Sequence, residues 1–185
     1  MYFMQTLYAE SINKIKQNKE RLEKALKVKL AFSGKNISIE SIGENAVEEY
    51  IAASVVEAME LGFTIGQALL LQDEELIFEK IYIKALTKRH DLERVRARLI
   101  GTKGKTKEII QNLSGCLVSL HGNTVGIIGR AEDIKKAIRA IEAIIHGQKQ
   151  SKVYSYLERK RAKDKLKLNE DLGLKIEEKP KKRKK

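Results

Sequence analysis

Of the 185 residues one is cysteine, one is proline and none is tryptophan, and six tyrosines with four phenylalanines make up the whole aromatic complement. A single thiol, Cys116, cannot close an internal disulfide, which favours an intracellular protein. So few rings argue against a base-stacking platform rich in Phe and Tyr. No apolar run approaches the roughly 20 residues of a membrane-spanning helix. The opening MYFMQTLYAESINK lacks the basic-then-apolar layout of a signal peptide. His90, His121 and His146 are far apart without paired spacing, so neither they nor Cys116 are read as metal ligands. Glu44, Glu48 and Glu49, and the run Asp73-Glu74-Glu75, pair with no evident base or nucleophile and read as solvated faces. The expectation is a soluble, cytoplasmic, non-enzymatic protein without membrane, cofactor or metal.

What is present is basic charge, unevenly placed. The chain carries 37 Lys+Arg against 25 Asp+Glu, a formal charge of +12. Residues 1–83 hold 9 basic and 13 acidic side chains, residues 84–107 hold 9 and 2, residues 108–147 hold 4 and 4, and residues 148–185 hold 15 and 6. The positive field is thus confined to one internal stretch and to the tail ending KPKKRKK. Such segregation points to a polyanion, with nucleic acid ahead of an anionic membrane.

The second half is the easier to read. LIFEKIYIKAL, 76–86, alternates like a strand. Asp91 offers an N-cap to a helix with Leu92, Val95 and Leu99 inward, interrupted at Gly101 and Gly104. A second helix runs from Lys105 with Ile109, Ile110 and Leu113 inward and stops at Ser114-Gly115. Cys116, Val118 and Leu120 alternate as a strand, with Ser119 and His121 on the other face; Gly122-Asn123 turns the chain and Val125–Ile128 returns. Ile134, Ile138, Ile141 and Ile145 mark a last helix closing at Gly147. The order is strand, helix, helix, strand, strand, helix.

The first half repeats this plan at an offset of 88. Val28, Leu30, Phe32, Gly34, Ile37 and Ile39 fall on Cys116, Val118, Leu120, Gly122, Val125 and Ile127, and Ile12 and Leu22 fall on Ile100 and Ile110. Val47, Ile51, Val55 and Ala58 place a helix after the hairpin. Asn13–Lys16 stands where the second half has Gly101–Gly104, so the first unit lacks the loop glycines and is expected to pack against the second unit or another protein. Phe63–Leu71 reads as a short helix, and residues 152 to about 167 as a basic helix with Val153, Tyr156 and Leu157 as its apolar face. Charge runs and Pro180 suggest disorder beyond it. The expected organisation is residues 1–74, residues 75–149, and a basic helix and tail over 150–185.

Chemistry concentrates in LIGTKGKT, 99–106, where two helices meet. Two glycines three apart expose backbone, so a sugar-phosphate chain can approach without meeting a Cβ. The helix starting at Lys105 points its free N–H groups and positive dipole end at the same place. Lys103, Lys105 and Lys107 add mobile charge. Arg94, Arg96 and Arg98 lead into the loop, and Arg98 reads equally as a backbone contact or as helix solubilisation. Gly104-Lys105-Thr106 imitates the end of a Walker A loop, but that motif needs glycine where Leu99 stands, so nucleotide hydrolysis is rejected.

Element order and IGTKGKTKEIIQ resemble the KH domain of type I (βααββα), an α/β (α+β) fold whose GxxG loop clamps about four nucleotides of a single strand. Two tandem units, a degenerate first loop, GTKGKTKEII and the closing KVYSYLERKRAK resemble the Pno/Dim-type KH proteins, with the Krr group as relatives. The resemblance implies an rRNA-processing, small-ribosomal-subunit assembly factor of archaeal form that binds the 3′ region of small-subunit rRNA. It also implies partners: the rRNA-trimming endonuclease, the rRNA dimethyltransferase and the α subunit of an initiation factor. By position, Gly101, Thr102, Lys103 and Gly104, with Lys105, Thr106 and Lys107 behind them and Arg98 before, would hold phosphates. Ile100, Ile110, Val118 and Leu120 would line the groove for bases. Lys107 stands where many KH sequences carry an apolar residue, which leaves the groove's depth open. Two rival readings are a protein-docking adaptor, using the acidic first half and the apolar face of helix 152–167, and a KH protein of RNA decay or transcription.

Overall fold

Alternating apolar residues build both sheets. In the computed structural model, which describes residues 5–9, 12–43, 45–88 and 91–171, the first unit comprises β1 (Gln5–Tyr8), α1 (Ile12–Gln17), α2 (Lys19–Leu26), β2 (Val28–Ser33), β3 (Asn36–Ser41) and α3 (Ala46–Glu60). Its antiparallel sheet has the order β1-β3-β2. A short helix α4 (Ile65–Ala68), closed at its start by the reciprocal Thr64–Gln67 capping box, and a 3-10 turn over Leu69–Gln72 lead to the second unit. That unit comprises β4 (Leu76–Tyr82), α5 (Ile83–Leu86), α6 (Leu92–Ile100), α7 (Lys105–Ser114), β5 (Leu117–His121), β6 (Thr124–Arg130) and α8 (Ala131–Ile145). Its sheet order, β4-β6-β5, is that of the first. Helix α9 (Gln150–Asp171) follows. His90, Glu44 and the tail beyond Asp171, to which the expectation of disorder applies, lie outside the described residues.

The repeat is visible in the backbone as well as in the side chains. Lys27 and Gly115, 88 apart, both end the second helix of their unit in the left-handed region, at φ +55° and +77°. The central hairpin strands keep that spacing, since Leu7 pairs with Ile37 and Ile81 with Val125. The first strands do not: from Leu7 to Ile81 is 74. The second unit therefore carries 14 more residues between its first strand and the end of its helix pair, 6 before the first helix (Tyr8 to Ile12 against Tyr82 to Leu92) and 8 within the pair (residues 12–26 against 92–114). This corrects the placement of the degenerate loop. Asn13–Lys16 lies within α1, and the two helices of the first unit join at Asn18 alone, whose N–H donates to the Ile15 carbonyl and whose side-chain amide donates to that of Lys14.

Three further expectations are revised. The strand from Leu76 ends at Tyr82, not Leu86, because Tyr82 pairs with Thr124 at the last rung and β6 offers no backbone beyond it. The Ile83 N–H reaches the turn carbonyl of Asn123 instead, and α5 begins. Val47 is 62% exposed. Glu48 and Glu49 are not idle on a solvated face: they take the Ser41 hydroxyl (2.8 Å) and the Ser41 N–H (3.0 Å), which turns Val47 outward. Ser119 does not stand apart from the core. It is buried and donates to the Leu61 carbonyl at 2.7 Å, from the face of the second sheet that meets the first unit.

Contact between the units is apolar and close. Ile128, Phe78 and Leu117 of the second sheet join the core of the first unit, and the Phe63 and Phe78 rings meet edge to face with centroids 6.3 Å apart. A Cβ on Gly126 would come within 2.8 Å of the Phe63 ring, so glycine in β6 permits this approach. Lys80 pairs with Glu57 at 2.7 Å across the same seam. The first unit thus packs on the second. A separate core, holding Ile110, Ile127, Ile134, Ile141 and Ile144, lies between the second sheet and its helices.

Candidate nucleic-acid interface

Asp91 caps α6, its carboxylate accepting the Arg94 N–H at 3.0 Å, and Val95 and Leu99 bury the helix against the second core. The helix stops at Gly101, whose φ of +73° and ψ of 174° lie in a region essentially restricted to glycine. The chain then makes one tight turn over Thr102–Gly104, with the Gly104 N–H on the Gly101 carbonyl at 3.1 Å, and re-enters helix at Lys105. At its crest Lys103 is exposed and held at φ +52°, unusual for a residue with a Cβ. Gly104, at φ +78°, precedes α7. Thr102, Lys103 and Lys105 are exposed around the start of α7, where unpaired N–H groups and the dipole favour an anion.

The two glycines have different jobs. A Cβ on Gly101 would lie 2.1 Å from the Thr106 hydroxyl oxygen and 2.8 Å from the Thr106 nitrogen; one on Gly104 would meet nothing within 4 Å. Gly101 lets the loop fold onto α7, whereas Gly104 leaves backbone open to an approaching chain.

Thr106 is buried, and its hydroxyl oxygen accepts from the Gln150 amide at 3.0 Å and the Tyr154 hydroxyl at 3.1 Å. Gln150 also donates to the Arg98 carbonyl at 2.9 Å, and the Arg98 guanidinium donates to the Gln148 carbonyl at 2.6 Å. Thr106, expected as a direct contact, is therefore the inner peg of the loop. Gln150 and Tyr154, four apart on α9, are the residues that reading the sequence missed. Their one signal was that helical spacing, which with Val153 and Leu157 sets them at i, i+3, i+4 and i+7 along the border of the apolar face of α9. Val153 and Leu157 are buried in the second core, which withdraws the apolar face of this helix from the docking role an adaptor would give it. Lys136 of α8 bonds Asp133 on its own helix and Asp164 on α9, both at 2.5 Å. Burial pulls its ammonium down, but the two carboxylates outweigh this and leave it raised above 10.5.

Ile100, Lys107, Ile110, Val118 and Leu120 come together, as expected, with Leu99, Val125 and Ile141. The space among them is only about 10 Å³, at the lower limit of what one water molecule needs. Ile110 and Val118 form its floor, while Ile100, 41% exposed, forms a lip. Beside Lys107 these residues leave a shallow aliphatic strip. Arg96 lies elsewhere, donating to the Asn123 side chain in the hairpin turn. His121 is exposed and Cys116 buried, its thiol pushed from 9.0 to about 11 by burial. Among the described residues no helix is long and apolar enough to cross a membrane.

Two antiparallel βααββα units, one with a GxxG turn between its helices above an aliphatic strip, define a tandem type I KH protein. A family model described as eukaryotic type KH-domain (KH-domain type I), for the second such domain of PNO1, matches residues 77–162. Dim2p from Pyrococcus horikoshii has a similar structure at TM-score 0.78 and 33% identity, over 84% of this chain and 98% of that one. So has a chain of the a/eIF2alpha-aDim2p-rRNA complex from the same organism, at TM-score 0.78 and 34% identity, over 87% and 96%. A KH domain-containing protein of Methanocaldococcus jannaschii is 33% identical over 150 residues, and the pre-rRNA-processing protein pno1 of Aspergillus fumigatus 39% over 106. These alignments cover 78% and 55% of this chain but 66% and 42% of those relatives. The chain belongs to the Pno/Dim-type family of KH-domain proteins.

Proposed function

We propose that the chain binds single-stranded RNA without catalysing a reaction, and that its target is the 3′ region of small-subunit rRNA during subunit assembly. The observation that carries this is the Gly101–Gly104 turn: backbone open at Gly104 and the start of α7 behind it, with Lys103 at its crest and Lys105 and Lys107 on its two sides. In this reading Gly101, Thr102, Lys103, Gly104 and Lys105 hold phosphates, with Lys107 at the groove edge and Arg98 beside the loop. Bases lie along Ile100 and Leu120, with Ile110 and Val118 as the floor. Phosphate contacts supply most of the affinity, and the shallow strip discriminates weakly, by shape and base edges. The complex of the Pyrococcus relative with rRNA and a/eIF2alpha supports both the RNA class and an initiation-factor α subunit as a partner. The trimming endonuclease and the dimethyltransferase rest on the family resemblance alone.

The test is binding of the full chain and its Gly104→Asp variant to a single-stranded oligonucleotide copying the 3′ end of small-subunit rRNA, across a salt series. About four clamped phosphates give a log–log slope near −3, and the variant should lose binding while keeping its fold. Equal binding by both, with a steeper slope, would assign polyanion binding to the tail. A protein-docking role is favoured at one place, the exposed Ile42, Val47 and Tyr50 of the first unit.

A further inference from the structure

On the other side of the loop from the aliphatic strip, α6, α7 and α9 enclose an open cleft of about 460 Å³. Arg94, Arg98 and Lys105 bring three positive charges to it, while Ile109 and Tyr154 add apolar surface. No carboxylate lines it, and among the described residues none of the three cations takes part in an ion pair. Three like charges converging without a counter-charge repel one another unless an anion joins them. Arg98 is moreover anchored by the Gln148 carbonyl, so its position is set before any ligand arrives.

The cleft and the strip share no lining residue. At the turn they come together, Gly101 and Thr102 rimming the cleft and Ile100 lipping the strip. A strand clamped at the turn with its bases on the strip has its next phosphate leaving the turn, and the cationic cleft opens there. Guanidinium groups suit a phosphodiester, and the Tyr154 ring and Ile109 suit the adjoining sugar or base.

We propose that this cleft is a second subsite for the same strand, taking a phosphodiester outside the four nucleotides held at the loop, with Arg94 and Arg98 as its ligands. The inference rests on the RNA-binding reading and extends it: the footprint is longer than one KH groove, and α9 is part of the binding site.

Arg94 is the residue to test, because its side chain is exposed and its backbone alone makes the capping contact. The full chain, Arg94→Gln and Arg94→Lys are compared by fluorescence anisotropy on four-nucleotide and eight-nucleotide copies of the rRNA 3′ end. Arg94→Gln should weaken the eight-nucleotide strand about tenfold and leave the four-nucleotide strand within about twofold. The salt slope on the longer strand should shrink by about 0.7, one single-strand phosphate. Arg94→Lys should recover most of the loss. Equal weakening on both lengths would mean that Arg94 serves the loop's own phosphates and would overturn the second subsite. No change on either would also overturn it and leave an acidic protein segment as the cleft's occupant. If the unaltered chain binds neither strand, the RNA reading itself fails and takes this one with it.

Discussion

Replacing Gly101 by alanine should cost about three to five times as much stability as the same change at Gly104. At Gly101 the backbone (φ +73°, ψ 174°) is one that only glycine adopts readily, about 1–3 kcal/mol for any other residue. The added methyl would sit 2.1 Å from the Thr106 hydroxyl oxygen, which Gln150 and Tyr154 hold in place. Thr106 can give way only by losing those two bonds, at about 1 kcal/mol each. The sum is about 3–5 kcal/mol, against about 1 kcal/mol at Gly104, where the methyl meets nothing. For a chain of this size 1 kcal/mol corresponds to about 2–4 °C. Thermal unfolding followed by circular dichroism should therefore place Gly101→Ala roughly 10 °C below the unaltered protein and Gly104→Ala roughly 3 °C below. Equal melting temperatures for the two variants would refute the assignment of Gly101 to packing and Gly104 to the ligand. The distinction also explains why Gly104→Asp, and not Gly101→Asp, is the variant suited to the binding test.

Gln150→Ala removes two of the three hydrogen bonds that α9 makes to Arg98 and Thr106, leaving that from Tyr154, so amide exchange over residues 101–106 should accelerate and affinity for the oligonucleotide fall several-fold, with a stability loss of about 1–2 kcal/mol; unchanged exchange would show that the loop stands without Gln150. Lys27 occupies a left-handed helix end that its counterpart Gly115 fills with glycine, so Lys27→Gly should raise the melting temperature by about 2–4 °C; a decrease would count against the strain argument. Because burial holds the Cys116 thiol near 11 while the unfolded thiol titrates near 9.0, the unfolded chain loses its proton first. The stability this group contributes is full below pH 9 and lost as pH rises towards about 11. Alkylation by iodoacetamide at pH 8 should be slow in the native protein and fast in urea, and Cys116→Ala should flatten the alkaline loss. Rapid native labelling would contradict the burial.

Much of this molecule is local, and what is local was legible. Alternation marked β2, β3, β5 and β6, Gly122-Asn123 marked a hairpin turn, Asp91 a cap and Gly115 a helix end, because each rests on contacts within a few residues. The GxxG turn was legible for the same reason. Where a strand stops or which way a helix face turns depends on what lies opposite. β4 ends at Tyr82 because β6 ends its pairing there, and Val47 faces out because Glu48 and Glu49 are drawn to Ser41. The fixed offset of 88 hid a 14-residue difference that only the strand register reveals, so Asn13–Lys16 lay in a helix and not in the loop. Tertiary structure alone separated the roles of Gly101 and Gly104: φ is positive at both, but Gly101 has ψ 174° and is closed off by Thr106, whereas Gly104 has ψ 5° and open space around it. It also brought Gln150 and Tyr154, more than 40 residues away, onto the loop and opened the cationic cleft beside it. The sequence by itself determined the elements and the chemistry of the loop, because hydrophobic period, capping and glycine act at short range. The packing of α9 and of the first unit decided which of those residues are pegs and which remain open to a ligand, because that depends on surfaces that meet only once the chain has folded.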